Sequence, residues 1–313
     1  MTEGRFPDPR LLTFPDAERS PLSIRAKALV FIDPRSRCLR DRVEQLATTS
    51  LPVLIVGDTG TGKELLARHV HGRSERGGLF VPVSCGAISV TRGEAELFGY
   101  SMGTQRASAA SRAGWFGSAN GGTLYLDEIG DLPLGLQASL LAALESGETR
   151  RVGASHAMPV DVRLIAATSI DLALAVEAGK FDEGLYRYLR GTQVDLPPLR
   201  ERTGDILPLA EYFLGIHAQR LGLALPLIGG SAQQVLERHS WPGNTRELEN
   251  VIHFALLVSR DETLLPEHFN LPEPLIQLEA LLARLQADSD RTRLLALHQL
   301  LRQADARLTE ALR

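Results

Sequence analysis

At 313 residues, with 44% hydrophobic and 23% charged residues, the chain is long enough for two domains with substantial cores. A formal charge of −4 gives no support for a broad nucleic-acid-binding surface, and two cysteines are too few for a disulfide framework. No apolar run is long enough to cross a bilayer and no signal peptide is evident, so the expectation is a cytoplasmic protein without a membrane partner.

Residues 1–24 carry several prolines and charges without periodicity and are expected to form a loose arm. A helix over 34–48 leads into the apolar run 51–56, which reads as a buried strand. Then comes Gly57-Asp58-Thr59-Gly60-Thr61-Gly62-Lys63-Glu64, followed by a helical pattern from Leu65 to Val70. A strand, a glycine-rich loop ending in Gly-Lys and a helix form the phosphate-binding arrangement of P-loop nucleotidases. The glycines let the backbone curl so that successive N–H groups point at an anion, and the positive end of the helix adds to that field. Lys63 is expected to reach the outer phosphates, while Glu64 stands where most P-loops carry Ser or Thr for magnesium.

Further strands are expected at 79–84, 123–126, 160–167 and 192–196, separated by helical patterns such as 134–146. Cys85, beside the first of these, is expected to be a buried, reduced thiol. The run at 123–126 ends in Asp127-Glu128, at the carboxyl end of a strand, where ligands bind in open α/β sheets. In P-loop ATPases the first acid holds Mg2+, often through water, and the next orients the attacking water; Asp127 and Glu128 fit those roles in order. Alternating strands and helices predict an α/β fold with a mostly parallel five-stranded sheet between helices.

After Pro197-Pro198 the pattern changes, and from 205 to about 268 only helices are expected, separated by Gly229-Gly230 and Trp241-Pro242-Gly243-Asn244. Pro272 and Pro274 then break the chain. Beyond them Leu294, Leu297, Leu301, Ala304, Leu308 and Ala311 form a seam. It suits a short coiled coil or helical hairpin, or equally one amphipathic helix docked on its own domain. No glycine-containing turn between two helices marks a helix-turn-helix there, so direct DNA binding is unsupported. The expected division is an arm over 1–24, a nucleotide-binding domain over 25–198, a helical lid over 199–271 and a helical segment over 272–313.

In this order the motifs closely resemble the AAA+ domain of bacterial enhancer-binding proteins, the activators of sigma-54 RNA polymerase. The resemblance runs from about Phe31 to Pro272 and includes the loop at 57–64, where that family also has Glu after the lysine. It continues through Glu96-Leu97-Phe98-Gly99, 121–130, Arg163-Leu164-Ile165-Ala166-Ala167-Thr168, the run Leu196-Pro197-Pro198-Leu199-Arg200-Glu201-Arg202, and 241–248. It implies ATP and Mg2+ as cofactors, hydrolysis to ADP and phosphate, assembly with like or unlike AAA+ subunits, and contact with the transcription machinery. It also implies that Thr168 is the sensor at the end of its strand, and that Arg246, on the lid, reaches the phosphates as the second sensor.

Three departures alter what the resemblance implies. Where the family carries a GAFTGA loop that touches the sigma factor, this chain reads Gly103-Thr104-Gln105-Arg106-Ala107-Ser108. Polar Gln105 and charged Arg106 replace an apolar contact at a desolvation cost of a few kcal/mol. Where the family has a Phe-Arg pair and a second Arg six residues later, both reaching a neighbour's ATP, Phe181 is followed by Asp182 and the later position is Tyr188. Arg187 and Arg190 lie close by, but a one-residue slip rotates a helical side chain by about 100°. Ser84 replaces an Asn that switches the catalytic glutamate. The expectation is an ATP-binding regulator with weak hydrolysis of its own, not engaging sigma-54 in the usual way and possible in a mixed ring. Two other readings stay open: an active remodeller of another target using Arg187 or Arg190, and a nucleotide-stabilised scaffold without chemistry.

Overall fold

The computed structural model describes residues 11–12, 29–101, 113–259 and 262–271. The substituted loop at 103–108 and the leucine seam lie outside the described residues, as does most of the expected arm. The chain divides into a compact unit, Met1–His268, and a second, Phe269–Arg313.

A five-stranded, fully parallel sheet organises the first unit, with strands β1 (Val53–Val56), β2 (Phe80–Ser84), β3 (Thr123–Asp127), β4 (Arg163–Thr168) and β5 (Gln193–Asp195) in the order β2-β3-β4-β1-β5. Its central strands are nearly continuous apolar runs because both faces are covered. Alternate residues part to opposite sides of the pleat. Leu54, Leu124, Leu126, Leu164 and Ala166 join one core, with side chains from α3 (Gly93–Phe98), α4 (Gly114–Ser118), α5 (Leu134–Ser146), α6 (Leu172–Glu177) and α7 (Glu183–Arg190). Val53, Ile55, Tyr125, Ile165 and Ala167 join the other, with α1 (Pro34–Ala47) and α2 (Lys63–Arg73). The helix over 134–146 stands where the sequence places it, and all five expected strands are present, with ends shifted by one to three residues.

Helix α1 (Pro34–Ala47) begins with Asp33 as N-cap, whose carboxylate accepts the Arg35 N–H at 2.9 Å, and with Pro34 in its first turn, where the missing donor costs nothing. Its far end is held by a buried arginine. Arg163, only 2% exposed, donates to the carbonyls of Leu46, Ala47 and Leu51 at 2.7, 2.8 and 3.1 Å. The guanidinium thus satisfies the unpaired carbonyls of a helix end from within the sheet. Arg163→Met keeps much of the volume but removes these donors. It should lower unfolding free energy by about 3 kcal/mol, read by urea denaturation. A loss within experimental error contradicts this role.

Helix α2 (Lys63–Arg73) follows the glycine-rich loop. Beyond the sheet, α8 (Ile206–Leu221), α9 (Gly230–Arg238) and α10 (Asn244–Val258) form the expected helical group. The reading of helices alone needs one correction. Leu227–Ile228 pairs in parallel with Thr263–Leu264, a ladder too short to leave a period in the sequence. Likewise Glu148–Thr149 pairs antiparallel with Met158–Pro159, so β4 starts at Arg163 rather than at 160. Leu11–Leu12, inside the expected loose arm, pairs antiparallel with Leu29–Val30. Among the described residues no helix is long and apolar enough to cross a membrane.

His217 of α8 stacks on His253 of α10 with ring centroids 4.3 Å apart, and its Nε2 lies 3.7 Å from Glu249. Burial, with the charges of His253 and Arg220, pushes its pKa down to about 4. The unfolded chain then takes up a proton near pH 6.5 that the folded chain refuses until about pH 4. Burial lowers His69 and His239 in the same direction. Stability should therefore be full above pH 6.5 and fall as pH drops toward 4, with His217→Gln flattening the profile in that window. A profile with the same slope in the variant contradicts the assignment.

Candidate nucleotide site

The loop after β1 turns on two left-handed glycines, Gly60 (φ 82°) and Gly62 (φ 104°), a region that L side chains rarely enter. A Cβ on Gly60 would stand 2.4 Å from the Gly243 carbonyl oxygen, and one on Gly57 2.8 Å from that of Leu196. Close backbone approach, as well as φ, therefore demands glycine here. Thr61 is buried, its hydroxyl donating to the Asp58 carbonyl at 2.7 Å. Lys63, the first residue of α2, is almost wholly buried and folds back over the loop. Its ammonium donates to the Gly57 carbonyl and to Glu128 Oε1, both at 2.9 Å.

Glu128 follows β3 in the left-handed region at φ 50°, a strained setting for a non-glycine residue that costs about 1–2 kcal/mol. Its other oxygen, Oε2, accepts the Ser169 N–H at 2.8 Å and the Ser169 hydroxyl at 2.9 Å. Asp127 accepts from the Tyr125 hydroxyl at 2.8 Å. Glu64 pairs with Arg68 one turn on, through Arg68 Nε at 2.9 Å and Nη2 at 2.8 Å.

These groups line a cavity of about 490 Å³. Thr59, Gly60, Gly62, Lys63, Glu64, Asp127, Glu128 and Arg246 stand on its wall, with Ser169, Phe213 and Glu249. Of the remaining candidates, Gly57 and Thr61 underlie the loop, and Asp58 points to Arg200, Oδ2 to Nη1 at 3.2 Å. Thr168 is fully buried, its hydroxyl engaged with the backbone of Ile170. The residue that meets Glu128 is the next one, Ser169. In β4 the last residue stays buried, and the first residue past its end emerges.

The helical group closes on the loop through contacts that the sequence reading did not assign. Asn244 (φ 53°), fully buried, donates from Nδ2 to the Thr59 carbonyl at 3.1 Å and accepts the Leu199 N–H at 2.8 Å. Buried Arg202 donates to the Thr61 carbonyl at 2.9 Å and lies 3.7 Å from Asp205. Asp205 in turn accepts the N–H groups of Ile32 and Asp33, each at 2.8 Å, and the Ser36 hydroxyl. Their signal was the run of motif residues around them.

Among the described residues no group of three or more His, Cys, Asp or Glu side chains gathers to hold a metal ion. Asp127 nonetheless lines the cavity, and its carboxylate is a hard oxygen donor. Mg2+ commonly takes one or two carboxylates and completes its shell with water and phosphate, so the residues fit an Mg2+ that arrives with a triphosphate. Burial, with the charges of Asp127, Asp131 and Glu128, pushes the Cys85 thiol up to about 12, which makes it a poor nucleophile.

On α7 the altered positions are put to structural use. The Asp182 carboxylate caps the helix by accepting the Leu185 N–H at 2.7 Å, and its own N–H donates to Gln137 at 2.7 Å. Tyr188 is half-buried against the core. Arg187 and Arg190 face solvent, and Arg187 lies 3.9 Å from Glu183.

Residues 29–195 match the sigma-54 interaction domain family, and residues 200–290 an AAA+ ATPase lid domain family. The chain is 49% identical over 263 residues to the sigma54-dependent transcriptional activator SfnR of Pseudomonas putida, spanning 84% of this chain and 72% of that one. It is 43% identical over 247 residues to the response regulator protein FleR of Pseudomonas aeruginosa, covering 79% of this chain but 52% of FleR. Crystal structures of NtrX from Brucella abortus with ADP and with ATP match at TM-scores of 0.71 and 0.70, each at 33% identity. They cover 80% and 84% of this chain, and 59% and 64% of the NtrX chain.

Proposed function

The chain belongs to the family of sigma-54-dependent transcriptional activators, with the AAA+ fold of that family, and on that premise we propose that it binds ATP with Mg2+ and hydrolyses it only weakly by itself. It would work in the cytoplasm, in an assembly with like or unlike AAA+ subunits that acts on the transcription machinery. The domain over 25–198 supplies the cradle, and the lid over 199–271 supplies Arg246. NtrX, whose fold this chain shares, binds ADP and ATP in its crystals.

The chain's own groups have definable tasks in this reading. Loop N–H groups and the start of α2 bind phosphate oxygens. Lys63 leaves the Gly57 carbonyl and Glu128 to meet the outer phosphates. That move frees Glu128 Oε1 to accept a proton from water, while Ser169 keeps the other oxygen in place. Mg2+, when bound, neutralises charge on the phosphate oxygens. Gly57, Asp58, Thr59, Gly60, Thr61, Gly62, Lys63, Glu64 and Arg246 form the binding set, with Asp127 and Glu128 as the catalytic set and Thr168, buried at the end of β4, as the sensor that the resemblance implies.

Asp182 carries the weak-hydrolysis reading. A carboxylate that caps its own helix stands where an arginine would reach into the next subunit's site. Near a triphosphate it repels rather than stabilises. Turnover of the chain alone should be slow and should disappear with Glu128→Gln. Brisk turnover abolished by that change would refute weak hydrolysis.

One observation favours a second reading. Arg187 and Arg190 are exposed on α7, Arg187 lying 3.9 Å from Glu183 and Arg190 over the Tyr186 ring, so either is available to a neighbour. In that case the chain is a working motor for a client other than sigma-54. Arg187→Ala or Arg190→Ala should then cut turnover and leave ATP affinity unchanged; if neither arginine matters, this reading fails.

A further inference from the structure

Tyr125 is 1% exposed at the centre of β3, two residues before Asp127 and therefore on the same side of the strand. Its hydroxyl donates to Asp127 Oδ1 at 2.8 Å. A buried phenol must find an acceptor. Here it takes a carboxylate on the cavity wall rather than a carbonyl of the sheet.

The ring that carries this hydroxyl is itself braced. Phe80 stacks on Tyr125 with centroids 5.7 Å apart and planes 22° apart. The Arg68 guanidinium sits 4.5 Å above Phe80, and Arg68 grips Glu64 at 2.8 and 2.9 Å. An unbroken set of contacts thus runs from Glu64 in the first turn of α2 to Asp127 at the end of β3. Both ends line the same cavity.

We propose that Tyr125 is a positioning residue for Mg2+: its hydroxyl fixes the Asp127 carboxylate by holding Oδ1, leaving the second oxygen to receive the hydrated metal. This inference rests on the reading of Asp127 as the Mg2+ carboxylate. A group that holds a ligand's other oxygen restricts its rotation and sets its orientation before the metal arrives. Tyr125→Phe removes the hydroxyl alone and keeps the stack on Phe80, so the core stays filled.

The test is calorimetric titration of ATP into the full chain, first in EDTA and then at stepped MgCl2 concentrations, with melting temperature as a check on folding. For Tyr125→Phe the affinity in EDTA should match wild type within twofold, while the Mg2+ concentration giving half of the full enhancement should rise about tenfold. In an Asp127→Ala background, Tyr125→Phe should change neither quantity, because the tyrosine acts through the aspartate. An unshifted Mg2+ midpoint, beside a wild-type chain that responds to Mg2+, overturns the positioning role and spares the Asp127 reading. A parallel fall of affinity in EDTA also overturns it, since a loosened core would do that. A wild-type chain whose ATP binding ignores Mg2+ overturns both readings.

Discussion

Replacing Lys63 with alanine should weaken ATP binding about a hundredfold, equivalent to ~3 kcal/mol. Its ammonium is nearly buried between the Gly57 carbonyl and Glu128, at 2.9 Å from each. A triphosphate offers the same ammonium stronger, multiply charged acceptors in a partly enclosed cavity, where charge-assisted hydrogen bonds gain strength. The fold should survive the change. The carbonyl and the carboxylate lose a donor, yet Glu128 keeps both bonds from Ser169 and its side chain is 28% exposed. Equilibrium dialysis with ATP at fixed Mg2+ checks this, with the melting temperature measured on the same protein. An affinity within threefold of wild type would remove the loop from the account.

Adding arginines should do the reverse for turnover. If weak hydrolysis follows from Asp182 and Tyr188, the double change Asp182→Arg with Tyr188→Arg should raise it about a thousandfold in the assembled state. The gain has a structural cost. Asp182 caps α7 through the Leu185 N–H, and loss of such a cap costs ~1 kcal/mol. Tyr188 also gives up contacts with the core. Turnover should therefore rise even as the melting temperature falls. Such a divergence separates restored chemistry from improved folding. Turnover that stays flat across a range of protein concentrations, with the arginines in place, means that something other than those two positions limits hydrolysis.

Much of the fold was legible because its strands are long apolar runs between helical periods. The runs at 51–56 and 160–167 read as strands for the physical reason that Val53–Val56 and most of Arg163–Thr168 are packed on both faces. The loop was legible because Gly60 and Gly62 sit where only glycine fits, and Lys63 and Asp127-Glu128 converge from separate elements onto one cavity. What escaped were relationships that no local pattern encodes. Ser169 meets Glu128 because the residue past the strand's end emerges while Thr168 stays buried. Asn244 reaches the loop 185 positions away along the chain, and Arg202 does so from 141. Side-chain bonds at such separations carry no periodic trace. The two-residue ladders at Leu227–Ile228 and Glu148–Thr149 were too short to alternate visibly. Asp182 illustrates the opposite case: its departure from the resemblance was visible at once, whereas its capping role needed the Leu185 N–H to be located.

One paired determination bears most directly on the central claim, that this chain owns a complete ATP cradle and lacks the arginines a neighbour would need from it. ATP·Mg2+ is titrated calorimetrically into the purified wild-type chain, and phosphate release is then followed in the same cell at saturation. Saturable uptake of about one ATP per chain, with phosphate release near the detection floor, is the result predicted. Rapid release from wild-type protein alone, or no saturable heat of binding at millimolar ATP with well-folded material, would contradict it.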